Sequence, residues 1–203
     1  RAEKLLSNAY PLMDIYRSNR ENELNAFLLT DTDKPGKRRS ILSTLPLYTI
    51  SKDLLTSILK SNNITDDKQK IIFKYAAAQR QRVEHILKTE HIEDEILNIT
   101  QEEFCACPLT LNLSGMFCET DIFYSYEDYL SHLKETEKFA IKYPNYILKK
   151  TSTHTFRNLQ ILIHEDQWAM ISKGKAPAIH FVIRHPKLRS AIENFIPPVI
   201  EEN

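Results

Sequence analysis

At 203 residues the chain has room for one or two domains and for a core that needs no disulfide staples. Lysine and arginine balance aspartate and glutamate at 27 each, which excludes a global basic field for holding nucleic acid; three glycines against nine prolines, with no GxGxxG or GxxxxGK(S/T) pattern, speak against phosphate-cradling loops. Three cysteines in no framework spacing, no apolar run of about 18 residues and no signal-peptide pattern predict a cytoplasmic protein that neither spans a membrane nor is exported.

From the start of the chain, Leu5, Leu6, Ala9, Leu12, Met13 and Tyr16, then Leu24, Phe27 and Leu28, recur at three- and four-residue steps and predict helix over residues 1 to 29, with Pro11 as a kink. The opening Arg1 to Leu6 falls in the middle of that amphipathic pattern, which reads as a piece of a longer polypeptide. Thr30 to Ser40, with Asp31, Asp33, Pro35-Gly36 and Lys37-Arg38-Arg39, reads as an exposed loop, either a solvated linker or a contact for an anionic partner. Ser51 is placed to cap a short helix through Leu54, Leu55, Ile58 and Leu59 that stops near Asn62-Asn63. Thr65-Asp66-Asp67 then starts the longest helical pattern, carried by Ile71, Ile72, Tyr75, Ala76, Val83, Ile86, Leu87 and Ile96 to about Ile99. A helix of that length either packs across a domain or pairs with a second copy, and Ile72, Tyr75, Val83 and Ile86 are the candidate dimerisation residues.

Gln101 to Tyr124 is irregular, but Leu109, Leu111, Leu113, Met116 and Phe117 predict that it is buried. Ser125 caps a helix through Tyr129, Leu130, Leu133, Ala140 and Ile141 that ends at Tyr143-Pro144, and Asn145 to Thr151 turns extended. Leu159, Ile161 and Ile163 alternate with Gln160, Leu162 and His164, the pattern of a strand with one buried face. A tight hairpin at Glu165-Asp166 leads into Gln167 to Ser172 and sets Trp168 opposite Ile163 and Met170 opposite Ile161. After Pro177 a third strand carries Ile179, Phe181 and Ile183 on one face and Ala178, His180 and Val182 on the other. His185-Pro186 opens a last helix along Leu188, Ala191, Ile192 and Phe195, stopped by Pro197-Pro198. The fold class is α+β. Residues 1 to 120 make a mainly helical dimerisation or connector region with a long helix, and residues 121 to 203 a sensor-like antiparallel sheet of three to five strands flanked by helices.

Cys105, Cys107 and Cys118 invite a metal or redox reading with His91 or His132 supplied by the fold, against that of buried reduced thiols. A structural zinc site takes four ligands, normally in CxxC-type pairs, and no metal site is assigned to the CxC spacing here. His154, His164, His180 and His185 crowd around the sheet without an HxxxH or HExxH pattern, and no nucleophile elbow accompanies them, so no catalytic residue is assigned. No cofactor is implied. The strand connection Ser172-Lys173-Gly174-Lys175 offers a hydroxyl, two ammonium groups and backbone amides, either as an ordinary solvated loop or as an anion cradle. On the second reading the candidate ligand-binding residues are Ser172, Lys173, Lys175, His180, Arg184 and His185, facing a carboxylate, a phosphate or a partner's backbone.

The strings Phe156-Arg157-Asn158-Leu159-Gln160-Ile161-Leu162-Ile163, Trp168-Ala169-Met170-Ile171-Ser172-Lys173 and Pro177-Ala178-Ile179-His180-Phe181-Val182-Ile183 resemble the C-terminal portion of Cro/C1-type (XRE-like) helix-turn-helix regulators of Gram-positive, clostridial-type bacteria. The similarity runs on through His185-Pro186-Lys187-Leu188-Arg189 and Ala191-Ile192-Glu193-Asn194-Phe195, covering about the last 50 to 60 residues. The resemblance implies a non-enzymatic regulatory region that dimerises and senses a small-molecule or protein effector, with DNA contacted only through a domain absent from this chain. Residues 1 to 60 depart from a complete regulator, since they hold no two-helix unit with a basic recognition helix. The rival expectations are a small enzyme acting on an anionic metabolite, with a histidine base and a Lys/Arg clamp, and a ligand-free assembly scaffold.

Overall fold

The computed structural model describes residues 12–30, 36–116, 118–151 and 159–195. Its strands are β1 (Met13–Tyr16), β2 (Arg38–Leu42), β3 (Ile92–Leu97), β4 (Tyr146–Thr151), β5 (Leu159–His164), β6 (Trp168–Lys173) and β7 (Ile179–Ile183). They form a seven-stranded mixed sheet in the order β1-β7-β6-β5-β2-β3-β4, antiparallel from β1 to β2 and parallel from β2 to β4. The helices are α1 (Glu21–Thr30), α2 (Lys52–Ser61), α3 (Asp66–Ile86), α4 (Gln101–Ala106), α5 (Tyr126–Lys142) and α6 (Pro186–Phe195). The α+β class holds, with more strands than expected, and strands from both sides of residue 120 share the one sheet. Among the described residues no helix is long and apolar enough to cross a membrane.

Side chains alternate across the pleat, so the register sorts them into two unlike faces. One face carries Tyr16, Leu42, Ile92, Ile96, Tyr146, Met170 and Val182, and α1, α2, α3 and α5 lie over it: Leu24 packs with Trp168 and Val182, Ile72 and Ala76 with Leu42 and Ile96, and Val83, Ile86 and Phe139 with Ile92 and Tyr146. The opposite face carries Ile41, Ile161, Ile163 and Ala169, which meet Ile192 of α6. Both long parallel crossovers, β2 to β3 through α2 and α3 and β3 to β4 through α5, are on the first face, which is why the core is thick there and thin on the other side.

The local signals for α2 and α5 hold. Ser51 accepts from the Leu54 amide and Ser125 from the Asp128 amide, and Leu55, Ile58 and Leu59 are buried. Thr100 and Glu103 close a capping box on α4. Leu109, Leu111, Leu113 and Ile122 of the irregular segment are buried, as their composition predicts.

Four readings need correction. Helix was expected at Met13 to Tyr16, which instead form an edge strand paired with β7; Arg20 donates to the Ile15 carbonyl at 2.8 Å and covers the Tyr16 ring, fixing the turn into α1. Arg38 and Arg39 were read as an exposed loop but begin β2, an interior strand held by β5 and β3. The helix drawn from Thr65 to Ile99 ends at Ile86, and Ile92 to Leu97 is β3, buried along all six residues. The hairpin after β5 turns at Glu165-Asp166-Gln167 with Asp166 at φ 59°, so Trp168 stands opposite His164 and Met170 opposite Leu162. That one-residue slip moves Trp168 and Met170 to the helix-covered face. The expectations at Leu5, Leu6, Ala9, Pro11, Asp31, Asp33, Pro35, Phe117, His154, Phe156 to Asn158 and Pro197-Pro198 fall outside the described residues.

Under α5 a polar group is fully enclosed. His132 is 0% exposed, with Nδ1 2.7 Å from the Tyr124 hydroxyl and Nε2 3.0 Å from the Thr49 hydroxyl, which also lies 2.8 Å from that of Thr136. Burial disfavours the imidazolium and takes the His132 pKa down from 6.5 to about 3. The folded state therefore binds the proton less well than the unfolded chain, so this contribution to stability is complete above pH 6.5 and is lost as pH falls toward 3. Urea unfolding should show stability declining by up to about 1.4 kcal/mol per pH unit below that value on this account. His132→Gln should flatten that part of the profile; an unchanged slope would remove His132 as its source.

Candidate functional site

Between the helix-covered face and α3 lies a cavity of about 160 Å³. Its floor is the sheet: Arg38 and Ser40 from β2, Asp94 from β3, Gln160 and Leu162 from β5, Trp168 and Met170 from β6, His180 from β7. Its roof is one stripe of α3, Tyr75, Gln79, Arg82, Val83 and Ile86, joined by Leu24 and Leu28 of α1. Tyr48 from the turn Leu47–Thr49, and Asn112 and Gly115 from the irregular segment, close the sides. A second hollow of about 180 Å³ lies between the start of α3 and Met116, Cys118, Thr120 and Ile122, but buried polar groups from several elements converge only on the first of these two.

Each polar group at the rim is positioned by a partner. Asp94 is 1% exposed and accepts from the Tyr48 hydroxyl, from the Tyr146 hydroxyl at 2.8 Å and from Ser40. Burial nonetheless pushes its carboxyl above the ordinary value, since those hydroxyls recover only part of the lost hydration. Asn112 donates to Gln160 Oε1 at 2.8 Å, and His180 Nδ1 lies 2.7 Å from the Ser172 hydroxyl. Gln79 donates to the Tyr75 hydroxyl at 2.5 Å, and burial takes the Tyr75 phenol up to about 12. Gly115 leaves room for it, since a Cβ there would crowd the Tyr75 oxygen and displace the ring. Trp168 is edge-on to Phe27 at 5.2 Å, and its indole nitrogen is buried without an acceptor among the described residues.

The six candidate ligand residues separate. His180 lines the cavity and Ser172 stands behind it as its hydrogen-bond partner. Lys173 is exposed and belongs to the opposite face, opposite Ile179 and Leu159. Lys175 borders only a small hollow of about 20 Å³ near Cys107. Arg184 is occupied structurally: it pairs with Asp14 at 2.7 Å and lies over the Phe27 ring, tying β7 to β1 and α1. His185 is half-buried where its amide meets the Leu12 carbonyl. The anion cradle therefore does not assemble from that loop.

His164 and His180 point to the same side of the sheet but do not meet. His164 pairs with Trp168 and His180 with Ser172, four residues further along β6, a separation of about 13 Å along the strand at the usual rise. His164 instead packs edge-on to Trp168 and against Gly36, where φ is +146° and a Cβ would fall 2.7 Å from Nε2. Of the candidate dimerisation residues, Ile72, Val83 and Ile86 are buried in the chain's own core, and Tyr75 lines the cavity. Cys105 is exposed and Cys107 and Cys118 are half-buried; among the described residues no group of three or more His, Cys, Asp or Glu is arranged to hold a metal.

The sequence reading missed Arg38, Gln79, Arg82, Asp94, Asn112 and Gln160 as wall residues. Arg38 lay hidden in a basic run that looked like a loop, and Asp94 in an acidic run that looked like a helix surface. Gln160 could have been found, since it occupies the same strand face as His164. No known protein family matches the chain, and no curated protein or solved structure does either. The separation of the candidate loop has a simple check. Ser172→Ala, which strips the buried His180 ring of a partner, should cost about 1–2 kcal/mol in urea unfolding. Lys173→Ala and Lys175→Ala should each change stability by less than about 0.5 kcal/mol.

Proposed function

We propose that this chain is the effector-sensing and self-associating region of a bacterial transcriptional regulator, non-enzymatic in itself, whose DNA-reading domain lies outside this sequence. The observation that carries the sensing part is the cavity: a half-open, largely apolar hollow of about 160 Å³, enough for one aromatic ring, with buried polar groups in its wall and α3 as most of its roof. A ligand that fits one position of α3 better than another would shift that helix relative to the sheet, and the shift is the signal. The resemblance of the β5 to α6 strings to Cro/C1-type regulators supplies the regulatory context.

The enzyme reading has less support. The wall's described carboxylate, Asp94, stands four strands from His180 and is committed to Tyr48, Tyr146 and Ser40, so the two do not form an acid–base pair. The lysine clamp that reading needs is dispersed over the opposite face and the loop.

Self-association is assigned to the sheet's thinner side. Met13, Ile15 and Leu159 on the sheet and Leu188 on α6 remain exposed there, whereas the α3 stripe is already covered. Light scattering over a concentration series should give the mass of two chains, and Ile15→Lys should reduce it to one while the melting temperature is kept. A wild-type chain that stays monomeric at high micromolar concentration would overturn the self-association half of this reading.

A further inference from the structure

The described wall of the cavity is rich in hydrogen-bond donors. Two guanidinium groups border it, Arg38 from the floor and Arg82 from the roof, whose side-chain nitrogens only donate. A third bordering arginine, Arg39, carries its side chain on the other face of the sheet, 3.4 Å from Glu93 and 3.8 Å from Glu95. Among the described residues the wall holds one carboxylate, Asp94, engaged by three hydroxyls. Arg38 and Arg82 each have contacts with the chain as well, so a ligand would share them. The indole N–H of Trp168, enclosed in the same wall without an acceptor, adds one more donor. A ligand oxygen meeting that indole N–H would satisfy a buried donor whose loss of a partner costs about 1–3 kcal/mol.

The two arginines belong to one end. Arg38 is paired with Ile92 in the β2–β3 ladder, and Ile92 packs with Val83 and Ile86 in the last turns of α3, next to Arg82. Away from that end, Leu24, Leu28, Leu162 and Met170 give an apolar wall. The volume, about 160 Å³, is that of a cavity holding roughly one aromatic ring. The last turns of α3 also bring the negative end of the helix dipole close to this wall; it opposes any anion there, and opposes the two charges of a phosphate monoester more than the one of a carboxylate.

We infer that the cavity binds a small organic monocarboxylate with a ring-sized apolar body, its carboxylate between Arg38 and Arg82 and its body against Leu24, Leu28, Leu162 and Met170. This rests on the effector-sensing reading and names the effector's chemical class. Arginine suits the role because its planar fork matches a carboxylate with two parallel hydrogen bonds.

Trp168 is the sole tryptophan of the sequence, so its emission reports on the wall without a label. The probes are benzoate and phenylacetate, with benzamide and phenylacetamide as neutral counterparts, titrated against the whole chain and followed by tryptophan emission and melting temperature. Saturable binding of an acid at least about tenfold tighter than its amide is expected, since a hydrogen-bonded charge contributes that much. Arg82→Gln should weaken the acid about tenfold and leave the amide unchanged. The wild-type acid-to-amide ratio decides the matter even if that variant folds poorly. Amides binding as well as acids would overturn the carboxylate assignment and leave the effector reading standing. Binding by none of the four would overturn the assignment.

Discussion

The constraint on which the structure depends is the burial of three successive carboxylates on β3, the middle strand of the parallel part of the sheet. Glu93, Asp94 and Glu95 are 5%, 1% and 9% exposed, and each needs partners that only the fold can bring. Alternation sends Asp94 to the helix-covered face, where hydroxyls from Ser40, Tyr48 and Tyr146 meet it, and the two glutamates to the other. Burial works against the Glu93 charge, but the Lys149 hydrogen bond at 3.0 Å and the charges of Lys149, Lys37 and Arg39 more than offset it and hold its carboxyl below the ordinary value. At Glu95 burial prevails over Arg39 and Lys149, and the carboxyl is raised. One strand thus fixes β2 on one side and β4 on the other, in parallel and in register.

The same constraint shapes the cavity. Because Arg39 is drawn to Glu93 and Glu95, the pleat places its neighbour Arg38 on the opposite face, where the cavity is. Because Asp94 holds Tyr48, the turn Leu47–Thr49 stays against α3 and forms the rim. The proposed anion site is therefore linked to the packing of the sheet's parallel part, and on that proposal the roof, α3, is the element through which occupancy would reach the rest of the molecule.

Much of this was legible from local chemistry. Ser51 and Ser125 announced their helices, and the alternation in Leu159 to His164 and Ile179 to Ile183 announced two strands, because caps and period-2 patterns are short-range signals. The misreadings share one cause, that the deciding partner was distant in sequence. Ile92-Glu93-Asp94-Glu95-Ile96-Leu97 resembles the charged surface of a continuing helix until Arg39, Lys149, Tyr48 and Tyr146 are known to surround it. Arg38 and Arg39 look like loop residues until the same carboxylates are placed. The register of Trp168 turned on whether the hairpin uses two residues or three, and the left-handed Asp166 decided it. The cavity needed the roof and floor together, and no single stretch of sequence contains both.

The central claim is that this enclosure exists to be filled by a small molecule. The most direct test is native mass spectrometry of the intact chain after equilibration with the small-molecule fraction of bacterial cells, run beside Leu162→Phe. The account predicts an added mass on the wild-type chain that is released on unfolding and absent from the filled variant. Identical, adduct-free spectra for the two chains, or an adduct held equally well by both, would contradict it.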